Sequence, residues 1–357
     1  MKVLHLPTDT AGVSGGLVQG ERDLGLESES LVVFGDYVRR KDVTPLFDLP
    51  PKTSLEALYY IPALLKKINE IKDQYDIFHF NISRSLIDNL GRFTSLLDLP
   101  LYKHYGKIAV TFNGCDARIR SHHGTLPFSP CSNPKCANKM CLPNTDAIKQ
   151  ARIKKWDKYA GVIFAATPDL LAYLPERAVY LQNTTTNWDE LIPHQILCRD
   201  KIRLVHAGTN QLTKGSEYIE SAATKLQELY PETVEYIRVE KRTNEEARHL
   251  YSTSDIIIDQ LALGTYGVLA LEGMKMGKPV VAYLDPIHYT KVNKEMTEGV
   301  FNSIINANPH TIFNVLESLI KHPDMLEGYR KNGLQFVERW HSPKAVATIA
   351  KREYCKL

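Results

Sequence analysis

No apolar run in this sequence approaches the roughly 20 residues that a membrane-spanning helix needs. The nearest, ALYYIPALL at 57–65, contains Pro62, so a transmembrane protein is excluded. That stretch runs into Lys66 and Lys67. It reads as an ordinary buried helix face in preference to a segment lying on a membrane surface. The start, MKVLHLPTDT, lacks the charged segment, apolar stretch and small-residue cleavage site of a secretory signal, and a cytoplasmic location is expected. Missing too are the spaced glycine fingerprint of nicotinamide enzymes and the lysine-bearing P-loop of NTPases. Charge of one sign is scarce in excess: 44 Lys and Arg against 41 Asp and Glu leave a net +3, which gives no ground for nucleic-acid binding. Six cysteines in a cytoplasmic chain are no disulfide framework, because thiols stay reduced there.

What is present is an alternation. Short β-branched or aromatic runs begin at 2 (KVLHL), 30 (SLVVF), 76 (DIFHF), 107 (KIAVTF), 161 (GVIFAA) and 178 (AVYLQ), as buried strands of a parallel sheet do. Between them lie amphipathic stretches such as 55–72, with apolar residues at three- and four-residue spacing. The pattern pauses over the polar stretch 183–201 and resumes at 202 (IRLVHA), 234 (VEYIRV), 254 (SDIIID) and 278 (KPVVAY); the last 45 or so residues read as mainly helical. With 357 residues two cores are expected, so the class is α/β, two doubly wound parallel-sheet domains facing a cleft. The boundaries expected are 1–190 with a Cys-rich insertion at about 114–145, then 191–340, then a C-terminal helix at 341–357 that packs back on the first domain. Ligands of such sheets bind beyond the carboxyl ends of strands.

Three loops at those ends carry candidate chemistry. After SDIIID comes QLALGTYGVLALEGMKMGKPVV, where Gly264, Thr265, Tyr266 and Gly267 form a tight loop and a helical pattern starts at Val268. The amides and dipole of a helix amino terminus suit a diphosphate. Glu272, one turn further, is placed to accept hydrogen bonds from two ribose hydroxyls. A surface glutamate behind an ordinary glycine turn would leave the same residues. After IRLVHA come Gly208, Thr209 and then Lys214, whose ammonium can neutralise phosphate oxygens and stabilise a departing nucleoside diphosphate; a solvated loop lysine is the plainer reading. After the first strand, Gly15 and Gly16 allow backbone amides to approach a phosphate or sugar.

Taken together, these loops resemble the GT-B retaining glycosyltransferases, specifically the large family 4 group, over nearly the whole chain. The segment LGTYGVLALEGMKMGKPVVAY is similar to that group's strongest signature, two glutamates separated by seven residues and followed by Gly-Lys-Pro-Val. LVHAGTNQLTKG resembles its lysine loop, and KIAVTFNGCDARIR its first-domain strand and turn. The resemblance implies transfer of a hexose-type sugar from a nucleotide-sugar donor, UDP- or GDP-linked, with retention at the anomeric carbon. Its acceptor would be a carbohydrate, a lipid-linked acceptor or another small molecule. Nucleic acid is not implied as a partner, and membrane contact is at most peripheral. The residues implied in catalysis are Lys214, Glu272, Asn113 and Asp116. Donor binding falls to Gly15, Gly16, Gly208, Thr209, Lys214, Gly264, Thr265, Tyr266, Gly267, Val268 and Glu272. This sequence departs from the pattern where the family's first glutamate falls on Gly264, its lysine-loop arginine on Thr209 and its frequent histidine on Asn113. No Asp-X-Asp occurs, which fits a transferase needing no divalent ion or other cofactor for catalysis. The other readings are a non-catalytic nucleotide-sugar-binding or scaffold protein, and a sugar-nucleotide epimerase or hydrolase of the same fold.

Cys115, Cys131, Cys136 and Cys141 cluster in sequence. Four thiolates could close a structural zinc site that pins the long insertion, with His122 or His123 as a substitute ligand. Free cysteines, an iron–sulfur cluster and a disulfide are the alternatives.

Overall fold

Parallel pairing is what buried β-branched runs separated by helices produce, and the chain builds two such sheets. The computed structural model describes residues 1–35, 45–90, 95–136, 145–194, 201–208 and 210–357. One sheet has the order β2-β1-β3-β4-β5-β6, from β1 (Lys2–Leu6), β2 (Glu27–Ser30), β3 (Ile77–Phe80), β4 (Lys107–Phe112), β5 (Val162–Ala165) and β6 (Val179–Tyr180). The other has the order β11-β10-β9-β7-β8, from β7 (Ile202–Ala207), β8 (Val234–Val239), β9 (Ile256–Ile258), β10 (Val280–Ala282) and β11 (Ile304–Asn306). All pairings are parallel.

The α-helices among the described residues are α1 (Val13–Asp23), α2 (Ser54–Ile71), α3 (Leu99–Tyr105), α4 (Arg120–His123), α5 (Thr145–Tyr159), α6 (Gln211–Lys214) and α7 (Ser216–Leu229). They continue with α8 (Asn244–Ser252), α9 (Val268–Lys275), α10 (Lys294–Ser303), α11 (Ile312–Lys321), α12 (Met325–His341) and α13 (Pro343–Tyr354). None is long and apolar enough to cross a membrane.

Two compact units result. The first comprises Met1–Ile119, Met140–Trp188 and Ser342–Leu357, so α13 joins the first sheet. The second comprises Arg120–Lys139 and Asp189–His341. Part of the insertion at 114–145 therefore clusters with the second sheet: the His123 ring stacks 6.2 Å from that of His288, and Phe128 meets Tyr283 and His310 edge-on. Aromatic packing decides this, a contact that strand periodicity does not report. The first core centres on Phe78, Phe80, Tyr102 and Trp156, the second on Ile219, Leu226, Ile256, Ile258 and Leu316.

Three sequence readings change. The second strand is the polar segment Glu27–Ser30, not SLVVF, because β2 is the sheet edge and pairs only with β1. Val32 and Val33 are nonetheless buried, and the Leu31 and Val33 amides continue the ladder onto His5 and Pro7. β11 has no counterpart among the strand runs read from the sequence; it spans only Ile304–Asn306 and lies at the edge of the second sheet beside β10. On α2 the buried stripe is Ala57, Leu64, Ile68 and Ile71, whereas Leu55, Leu58, Tyr59 and Leu65 are half or more exposed. The apolar content of that helix exceeds the width of the face it packs, so the buried helix face expected there is present but narrower than the apolar run.

Candidate functional site

The second unit brings Lys214, Gly208 and Gly267 to one point. Lys214 closes the one-turn helix α6, and Gly215 follows it with φ +67°, a left-handed conformation that lets α7 start at once. The Lys214 ammonium lies 2.5 Å from Asp259 Oδ1, and the Gly267 N–H donates to Asp259 Oδ2 at 2.5 Å. Asp259 is fully buried immediately after β9. It clasps the lysine loop to the amino end of α9. A Cβ at Gly208 would come within 3.0 Å of the Lys214 side chain, and one at Gly267 within 3.0 Å of its ammonium. Both glycines leave room for this pair.

Behind Lys214, His206 is held neutral. Its Nδ1 faces the Ile258 carbonyl at 2.8 Å, which can only accept, so Nδ1 carries the proton and Nε2 accepts from the Ser216 hydroxyl at 2.8 Å. Burial pushes the imidazolium down to about 4; the Ile258 carbonyl opposes the shift and the Lys214 charge adds to it.

At the start of α9 the N–H groups of Val268 and Leu269 have no partner among the described residues. Thr265 is buried with its Oγ1 unpaired there too. Glu272 sits one turn along, buried, with Oε1 3.5 Å from the Arg248 guanidinium. Tyr266 points elsewhere: its hydroxyl bonds His341 Nε2 at 2.9 Å. Gly264 has φ +69°, and a Cβ there would meet the His288 ring at 2.8 Å. Thr209 lies outside the described residues.

In the first unit Asn113 and Asp116 come together as a turn. Asp116 Oδ1 accepts the N–H groups of Asn113 and Gly114, and Oδ2 that of Ser83, while Asn113 donates to the Asn81 carbonyl at 2.5 Å. Gly15 donates its N–H to Asp9 Oδ1 at 2.9 Å, and a Cβ at Gly16 would lie 2.6 Å from the Thr185 carbonyl oxygen. Gly16 thus serves the approach of α1 to the segment Thr184–Thr186. Beside it is a small recess of about 20 Å³ lined by Thr8, Ser14, Leu17, Asn113, Thr184 and Val346 among others. The hydroxyls of Thr8 and Thr184 are buried without partners among the described residues.

Of the four cysteines, Cys115 belongs to the first unit and Cys131 and Cys136 to the second, and Cys141 lies outside the described residues. The described side chains that do converge as possible ligands are His5, Glu21 and His79, within 4.8 Å of one another and fully buried. They are already bonded. Glu21 takes His5 Nε2 at 2.8 Å, Ser28 Oγ at 2.6 Å and the Tyr354 hydroxyl at 3.0 Å. His79 bonds Tyr354 and Thr111.

No protein-family model matches the sequence, and no curated protein matches it. Solved structures match over the full length. Sucrose-phosphate synthase from Thermosynechococcus elongatus aligns with a TM-score of 0.66 at 13% identity, over 100% of this chain and 98% of that one. The fold is GT-B. The catalytic domain of starch synthase IV from Arabidopsis thaliana, bound to ADP and acarbose, shares it with a TM-score of 0.63 at 11% identity, over 100% and 99%. So does UDP-GlcNAc 2-epimerase from Neisseria meningitidis bound to UDP-GlcNAc, with a TM-score of 0.55 at 14% identity over 100% of both chains. Within this GT-B chain, Asp259 and Arg248 are the site residues that sequence reading passed over. Asp259 had a signal: a carboxylate directly after the run Ile256–Ile258 stands at the carboxyl end of a strand, where GT-B and other open sheets place ligands.

Proposed function

We propose that the chain is a glycosyltransferase that moves a hexose-type sugar from a nucleotide-sugar donor held by the second unit, with retention and without a catalytic divalent ion. The observation that carries this is the convergence of Lys214, the Gly267 amide and the open first turn of α9 on one point, with Glu272 one turn away. A cation and amides meeting at a helix amino terminus suit a diphosphate, and a carboxylate a turn along suits ribose hydroxyls. Charge on the leaving diphosphate would be taken up by Lys214 and backbone amides, which act strongly where water is excluded.

The test is incubation with a panel of UDP-, GDP- and ADP-sugars, following nucleoside diphosphate release with and without candidate acceptors and with a chelator present. Release that needs an acceptor and survives chelation is expected. Binding without release under any condition would leave a scaffold protein instead. The likeness to a UDP-GlcNAc 2-epimerase favours one second reading, and the same samples decide it: a changed sugar still attached to its nucleotide, seen by NMR without acceptor, indicates epimerisation.

A further inference from the structure

Asp259 is fully buried, yet both its oxygens face groups that the reading above assigns to a diphosphate. One oxygen takes the Lys214 ammonium and the other the Gly267 N–H, each at 2.5 Å. An ammonium has three protons and can serve two anions, but a backbone amide has one and cannot. A diphosphate arriving at the start of α9 must therefore take the Gly267 amide from Asp259. It must also approach a carboxylate whose charge already neutralises the lysine. Nothing else among the described residues competes for its oxygens, and its own N–H is spent on the Val281 carbonyl in the sheet.

Resting on the donor-site reading, we infer that Asp259 is a resident anion that occupies the phosphate donors between turnovers and weakens nucleoside diphosphate binding, so that the spent nucleotide leaves as the carboxylate returns to Lys214 and Gly267. A purely structural clamp would give the opposite sign: loosening it would disorganise the loop and weaken binding.

The experiment is calorimetric titration of UDP, GDP, ADP and inorganic pyrophosphate into wild type, Asp259→Asn, Lys214→Gln and the double variant, after circular dichroism has confirmed folding. Should Asp259→Asn not fold, Asp259→Ser, smaller and uncharged, takes its place. The expected result is at least tenfold tighter binding of pyrophosphate and of the preferred nucleotide by Asp259→Asn, with most of that gain absent when Lys214 is Gln. Equal or weaker binding by the variant, with wild type still binding, overturns the inference and leaves the donor site standing. No binding by either protein removes the donor site, and the inference with it.

Discussion

Glu272 is the residue on which the donor reading is most exposed. If its carboxylate holds the ribose, Glu272→Gln, nearly isosteric within α9, weakens nucleoside diphosphate binding. Hydrogen bonds to a charged group contribute roughly 1.5–3 kcal/mol, so the loss should be about ten- to a hundredfold. A 2′-deoxynucleotide should bind wild type more weakly but lose less on mutation. Calorimetry with both nucleotides and both proteins closes the cycle, and simple additivity would mean that Glu272 does not touch that hydroxyl. Gly264 makes a different point. Restoring the glutamate that the resemblance places there forces a side chain into φ +69° and against the His288 ring. Gly264→Glu should cost about 1–3 kcal/mol of stability, read as a lowered Tm, and a variant as stable as wild type would show that the loop can rearrange.

At the scale of elements, α13 is tied to the first sheet by both polar and backbone contacts. Gly20 on α1 leaves no space for a Cβ beneath the Pro343 carbonyl at the start of α13. At the far end the Tyr354 hydroxyl joins Glu21 on α1 at 3.0 Å to His79 on β3 at 2.6 Å. Removing the hydroxyl strands two buried partners. Tyr354→Phe should therefore destabilise the first unit by about 1–3 kcal/mol, measured by denaturant midpoint, with the nucleotide binding proposed for the second unit little changed. Loss of donor binding as large as the loss of stability would contradict that separation. The same network sets charges. Burial works against a charged His5, but the Glu21 carboxylate outweighs it and the pKa is raised; burial and the His5 charge hold His79 well below its ordinary range.

Across the whole molecule these histidines give stability a defined pH dependence. His206, lowered to about 4, stays neutral when folded while the unfolded chain takes up a proton below about 6.5. Its contribution is present above that value and lost as pH falls through it towards 4, at about 1.4 kcal/mol per unit. His79 acts in the same direction. His5, with its raised value, acts oppositely: its stabilisation is full below about 6.5 and fades as pH rises through the folded pKa. Unfolding of wild type and His206→Gln between pH 7.5 and 4.5 should show a shallower acid slope in the variant. Identical slopes would mean that His206 is protonated in the folded chain.

The sequence by itself determined the two parallel sheets, since each depends on local runs such as Ile108–Phe112 and Leu204–His206 whose side chains are buried on both faces. It also determined that a glycine loop opens α9 and that Lys214 stands just before a glycine and a helix after β7, because turn and helix-start preferences act over a few residues. Only the tertiary structure decided that β2 would be the polar Glu27–Ser30, that the insertion's His123 and Phe128 would lie with the second sheet, and that Asp259 would stand between Lys214 and Gly267. Those three outcomes turn on which distant groups meet: a strand's place at a sheet edge, rings from an irregular loop, and a buried carboxylate that finds its cation 45 residues away. Periodicity records how a residue relates to its neighbours in sequence; burial and charge pairing are settled between segments, and no spacing along the chain encodes them.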